Sequence, residues 1–227
     1  MLRPLSFVRP VVPVRVSRSA AGLVVALAAV FGALGWQLGM PLLLAVTLGG
    51  LGATVSLLFH ELGHVRAAAR VATVRPTSVS LIWAGAATTL EGRYRTGRDQ
   101  ARVAIGGPQA SFTFALALVA VCFLPTSLAV KEPLLLLAFF NVALGLVNLV
   151  PAYPLDGYKL VSGLLWSITG SESKARRILR RVGIGWAAVE APAAVVLLIE
   201  KPIVGGIALV GGAAFLVQKR LLPRVAR

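Results

Sequence analysis

The chain has 227 residues, of which 57% are hydrophobic and 14% charged, with a mean hydropathy of +0.84. A soluble domain carries about a quarter charged residues, so this composition excludes an ordinary water-soluble globule and fits a protein solvated mostly by lipid. The net charge of +15 does not indicate nucleic acid, because the basic residues flank apolar runs and build no stripe interleaved with aromatics; anionic lipid is the expected partner.

Cys122 is the single cysteine. It excludes an internal disulfide and a zinc site built from several thiolates, and is read as packing. The Ala-, Val- and Arg-rich, Lys-poor composition points to a GC-rich bacterial genome.

Residues 1–19 carry Arg3, Arg9, Arg15 and Arg18 and form a cytoplasmic segment. Val12, Val14 and Val16 alternate there at the period of a short strand over 11–16. No small-residue cleavage site closes the apolar run that follows, so a retained first span is expected.

A helix needs about 20 apolar residues to cross the hydrocarbon core. The expected spans are 20–38, 41–63, 102–124, 133–150, 184–199 and 203–218. With the N-terminus in the cytoplasm, every one of the 23 basic residues except Lys131 and Lys201 falls on the cytoplasmic side. So skewed a split obeys the positive-inside rule and predicts six spans with both termini cytoplasmic. Residues 20–168 are the expected catalytic core, and 169–227 a basic loop with a two-span hairpin.

Between spans two and three, residues 77–83 and 86–91 are rich in Thr, Ser and Val, with Ala84-Gly85 as a turn. This pattern reads as a β-hairpin. The expected fold class is therefore a mainly α membrane protein of about six transmembrane helices, with a small membrane-associated β-sheet on the cytoplasmic side. The apolar segment 155–168 is too short to span and is expected to lie within or partly enter the membrane.

The second span ends in Phe59-His60-Glu61-Leu62-Gly63-His64, an H-E-x-x-H pattern. Residues at i and i+4 share one helix face, so the two imidazoles can grip one metal ion while Glu61 reaches a water without being a ligand. Both histidines of the chain lie in this motif. Catalytic zinc takes three protein ligands and keeps an open position, so the third must be a carboxylate.

Of the eight acids, Asp99, Glu132, Glu172 and Glu200 fall in loops or at span ends, and Glu91 beside the hairpin. Asp156 and Glu190 remain near the apolar phase. Asp156 follows span four at the cytoplasmic end, the depth expected of His60 and His64. Glu190, two residues before Pro192, reads either as a functional intramembrane acid or as a protonated acid bonded to a neighbouring helix. The stretch from Asn148 to Gly157 holds Pro151 and Pro154. Its broken backbone is tolerated at membrane depth only against protein or a wet cavity. The Asn148 amide either donates to a developing oxyanion or satisfies freed backbone. Asn141, one heptad earlier, is read as structural.

H-E-L-G-H on one span, with N-x-x-P-x-x-P-L-D-G ending a later one, resembles the site-2 protease family of intramembrane metalloproteases. Gly106-Gly107-Pro108, read as opening span three, and the hairpin's position resemble that family too. The likeness runs through residues 11–165. It implies zinc ligands His60, His64 and Asp156, Glu61 as catalytic acid-base, and one zinc per chain. It also implies single-span membrane proteins, such as membrane-bound anti-sigma factors or signal-peptide remnants, as substrates. A transmembrane substrate is helical and must unwind before attack, and the expected hairpin offers an edge strand to receive it. The hairpin turn departs from the family, reading Trp-Ala-Gly-Ala where many relatives have a Gly pair.

The alternatives are a membrane metal transporter or a catalytically inactive membrane-protein binder. A transporter needs ligands along a path, and the sequence offers one cluster at one depth. A serine protease would need a further histidine, and an aspartyl protease a second membrane Asp.

Overall fold

The computed structural model describes residues 12–83, 85–125 and 127–181. Among these, four helices are long and apolar enough to cross a membrane: Ala20–Gln37, Leu42–Ala68, Gly97–Cys122 and Leu128–Asn148. The spans expected at 184–199 and 203–218, and Glu190, lie outside the described residues, so the expected six become four here. Side chains such as Leu43, Phe139 and Leu116 stand at least 70% exposed on these helices. A bundle solvated by lipid leaves such residues outside, and the protein is a multi-pass membrane protein.

Helix α1 (Ala20–Gln37) ends where Gly39 takes a φ of 75°, a left-handed conformation that glycine adopts without a Cβ penalty. Pro41 then opens the second span. That span runs through α2 (Leu42–Thr47), a π-helical turn (Leu48–Ala53) and α3 (Thr54–Ala68). The wide turn coincides with Gly49, Gly50 and Gly52. A Cβ on Gly49 would strike the Leu27 carbonyl and stand 2.5 Å from the Phe31 Cβ, so α1 packs directly against this backbone. Thr54 and Ser56 return their hydroxyls to the carbonyls of Gly50 and Gly52 at 2.6 and 2.9 Å.

The hairpin is longer than expected, with β2 at Val74–Ile82 and β3 at Gly85–Gly92. Strand β1 (Val14–Val16) pairs in parallel with β2, giving the order β1-β2-β3. Its side chains are exposed, so the period-two pattern of 11–16 marks the strand but no buried face. In the antiparallel pair, Ile82 stands opposite Gly85 and Val79 opposite Thr88. Strand β2 is central, and among the described residues β3 has a free edge on its outer side. Val79 and Leu81 bury the inner face of β2.

Helix α4 (Gly97–Cys122) begins earlier than the expected 102. Thr96 caps it: the Asp99 amide donates to the Thr96 hydroxyl at 3.1 Å, and that hydroxyl donates to the Asp99 carboxylate at 2.7 Å. Such an N-cap lets a polar first turn be helical where hydropathy alone ends the element. Gly106-Gly107-Pro108 therefore lies inside the helix and does not open it. Helix α5 (Leu128–Asn148) likewise starts before 133 and carries Lys131 and Glu132 in its first two turns. Helix α6 (Asp156–Thr169) forms over the short apolar segment.

Two glycine contacts make α4 the hub. A Cβ on Gly106 would come within 2.6 Å of the Gly63 carbonyl, so α3 and α4 touch backbone to backbone. A Cβ on Gly163 would lie 2.5 Å from the Gly97 carbonyl and 2.8 Å from the Ala101 nitrogen, so α6 docks on the same helix. The Gln100 amide adds a hydrogen bond to the Lys159 carbonyl at 2.8 Å. A core of Phe31, Ala53, Ala115, Leu118, Leu137 and Ala138 fills one part of the bundle, and Ala68, Val71, Val74 and Val103 another, where α3, β2 and α4 meet.

Candidate metal centre and catalytic cavity

His60 and His64 point from α3 toward α4 and α6. The Nε2 atoms of the two rings lie 3.0 and 2.9 Å from the Asp156 Oδ2 at the first residue of α6. One ligand atom from each residue falls within 4.8 Å of the others, and all three side chains are buried. The residues read from sequence as the metal set are thus brought together.

The other faces of the rings are also held. His64 Nδ1 stands 2.8 Å from the Val103 carbonyl, which can only accept, so Nδ1 carries a proton and, in the neutral ring, Nε2 keeps a lone pair for a metal. His60 Nδ1 stands 2.9 Å from the Ser111 hydroxyl, which accepts in the same tautomer. Two lone pairs and a carboxylate oxygen then converge at about 3 Å. Either a proton shared between an Nε2 and Asp156 or a metal ion balances that convergence, and two imidazoles with one carboxylate suit zinc. Gly107 completes the fit. A Cβ there would collide with the Nε2 of both histidines, so the glycine leaves the space at the ligand atoms open.

Outside the spanning helices, burial acts to raise the Asp156 carboxyl, but its contacts with His60 and His64 and the charge of Lys159 hold it well below the usual carboxylate range. Lys159, one turn along α6, places its Nζ 3.4 Å from Oδ1. One carboxylate oxygen thus faces the histidines and the other faces the lysine.

Glu61 is buried. Its Oε2 accepts from the Thr88 hydroxyl at 2.6 Å. Asn148 donates through Nδ2 to the Leu144 carbonyl one turn back on its own helix, at 2.9 Å. Asn141 is fully buried and donates to Ser56 and to the Leu137 carbonyl, tying α5 to α3, as read.

His60, Glu61, His64, Asn148 and Asp156 all line one cavity of about 1220 Å³. The inward side of β3 forms part of its wall, through Ala86, Thr88 and Leu90. Tyr94 lines it too, and burial together with the Asp156 charge pushes its phenol up to about 12, so it remains a neutral donor. Arg93, Lys159, Glu172 and Arg176 give the cavity a charged, water-compatible side.

Sequence reading missed Ser111, Val103 and Thr88. Ser111 lies one turn after Gly107 on α4, a spacing that becomes a signal only once α4 is known to face the histidines. Ser111→Ala removes the acceptor from His60 Nδ1 without enlarging a side chain. It should weaken zinc affinity by roughly ten- to a hundredfold, measured by competition with a chelator in detergent. Unchanged affinity would contradict the orienting role.

The model of Peptidase family M50 matches residues 125–189. Rip3 of Mycobacterium tuberculosis, designated a zinc metalloprotease, is 36% identical over 186 residues, covering 77% of this chain and 44% of Rip3. The zinc metalloprotease designated sll0528 of Synechocystis is 35% identical over 137 residues, covering 59% of this chain and 36% of that protein. The chain therefore spans less than half the length of these curated relatives. The solved structure of the Site-2 Protease from Methanocaldococcus jannaschii superposes with a TM-score of 0.60, covering 100% of this chain and 97% of that one. At 20% identity that likeness is one of fold. Together with the His-His-Asp cluster set among membrane-spanning helices, these matches place the chain in the M50, or site-2 protease, family.

Proposed function

We propose that the chain is an intramembrane zinc metalloprotease that hydrolyses peptide bonds in or near transmembrane segments of other proteins. The observation that carries this reading is the buried His60–His64–Asp156 cluster sharing one cavity with Glu61 and with the free edge strand β3. A transporter would need further ligands along a path. Among the described residues this is the cluster of three such groups that could hold a metal.

His60, His64 and Asp156 would hold the zinc, one per chain, and Glu61 stays free of it. When bound, zinc polarises a carbonyl and lowers the pKa of water. Glu61 takes the proton of the attacking water and delivers it to the leaving nitrogen as the C–N bond breaks. Thr88 occupies Oε2, which leaves Oε1 as the atom that moves the proton. Asn148 has a second amide hydrogen beyond the one given to Leu144, and we assign it to the developing oxyanion.

A transmembrane substrate is helical, and its peptide bonds are shielded until it unwinds. The free edge of β3 offers backbone partners for the unwound segment by strand addition. Single-span membrane proteins, including membrane-bound anti-sigma factors, fit this mode. The basic loops support a topology with both termini and the cavity mouth on the cytoplasmic side, in contact with anionic lipid.

Two substitutions test the reading. Glu61→Gln should retain zinc and lose cleavage by at least about a hundredfold, followed on gels with a single-span substrate; cleavage near the unmodified rate would contradict it. The bonds of Val79 and Leu81 to β1 leave Ser80 to pair with Ala87, so the amides of Ala86 and Thr88 face the open side of β3, and Ala86→Pro removes one of them while sparing the Thr88 hydroxyl. That variant should reduce cleavage with zinc content intact, and cleavage at full rate would sink strand addition.

A further inference from the structure

The edge strand also touches the general base. The Thr88 hydroxyl lies 2.6 Å from the Glu61 Oε2 and 3.2 Å from the Glu61 backbone carbonyl. Both contacts cross from β3 to α3, between residues 27 positions apart in sequence. Thr88 pairs with Val79, and residues directly opposite in a ladder share one face. Val79 is 1% exposed, so this face turns into the molecule and carries the hydroxyl with it. Half-buried Ala86, Thr88 and Leu90 alternate with exposed Ala87, Thr89 and Glu91.

We infer that Thr88 is a positioning residue for Glu61, through which the strand that receives substrate also fixes the rotamer of the general base. This rests on the proteolytic reading above. A glutamate side chain has three rotatable bonds, and an unanchored carboxylate would sample several directions in a cavity of this size. Thr88 donates to Oε2 whether Glu61 is ionised or carries its proton on Oε1, because Oε2 accepts in both states. The base is therefore held through the whole cycle of taking and giving a proton. The second acceptor, the backbone carbonyl of the same residue, keeps the hydroxyl near the α3 backbone. A β-branched side chain is stiff at χ1, so threonine presets the hydroxyl direction better than serine.

The geometry also couples two events. A segment added to the free edge of β3 bonds the backbone of the strand whose side chain holds Glu61. Alignment of the base and seating of the substrate then depend on the same few residues. A shift of about 1 Å in a catalytic group can cost roughly a hundredfold in rate, so a small displacement of β3 suffices to silence the base.

The test compares the unmodified protein with Thr88→Val and Thr88→Ser in detergent. The probe is a fluorogenic single-span peptide with a Gly-Pro break in its helix. Thr88→Val keeps the shape and removes the hydroxyl. It should retain full zinc and a KM within about twofold, while kcat falls roughly ten- to a hundredfold. Thr88→Ser should recover most of that loss. In a Glu61→Gln background, adding Thr88→Val should leave peptide binding unchanged. A wild-type kcat in Thr88→Val would overturn the inference. So would loss of zinc, a loss carried by KM, or a Thr88→Ser variant as slow as the valine. A zinc-loaded unmodified protein that leaves the peptide intact would instead remove the proteolytic reading and this inference with it.

Discussion

A charge at the middle of a membrane helix costs about 2.5–3.5 kcal/mol on insertion scales, and this protein gathers His60, Glu61, His64 and Asp156 in one buried place. The rest of the fold can be understood as the means of satisfying them. Each imidazole has an acceptor behind it, Ser111 for His60 and the Val103 carbonyl for His64, and Asp156 ahead of it. The second oxygen of Asp156 faces Lys159, and Glu61 is held by Thr88. What the three side chains share is one point of convergence, and a group of this kind could hold a metal ion.

Helix α4 makes this arrangement possible. Its glycines let α3 approach on one side and α6 on the other, so residues on three separate elements meet within a few ångströms. A larger side chain at Gly106 or Gly163 would meet backbone, which cannot step aside. Gly107 serves a different end, keeping the ligand atoms clear. The seam thus joins packing to chemistry, since the contacts that bring the helices together also define the space at the metal site.

Much of this was legible in the sequence because the signals are local. The i, i+4 spacing of His60 and His64 fixes a shared face once the segment is helical. The prolines after Asn148 mark the break that brings Asp156 back to the depth of the histidines. The hairpin shows in its Thr, Ser and Val composition and its glycine. Helix ends were misplaced where capping outweighs hydropathy, as at Thr96, and the span count could be followed only through residue 148. Ser111, Val103 and Thr88 were invisible because their roles arise between elements far apart in the chain. No periodicity in residues 85–92 announces that the strand will touch Glu61. The π-helical turn before the metal motif also escaped notice, although its three glycines were in view.

The proposed zinc site draws its ligands from two elements, α3 and α6. Metal analysis of detergent-purified protein tests it most directly, comparing the unmodified chain with Asp156→Ala. About one zinc per chain is expected in the unmodified protein, and little or none in the variant. Full zinc retention by Asp156→Ala would contradict it, because the third ligand would then lie elsewhere and the catalytic assignment would fall with it.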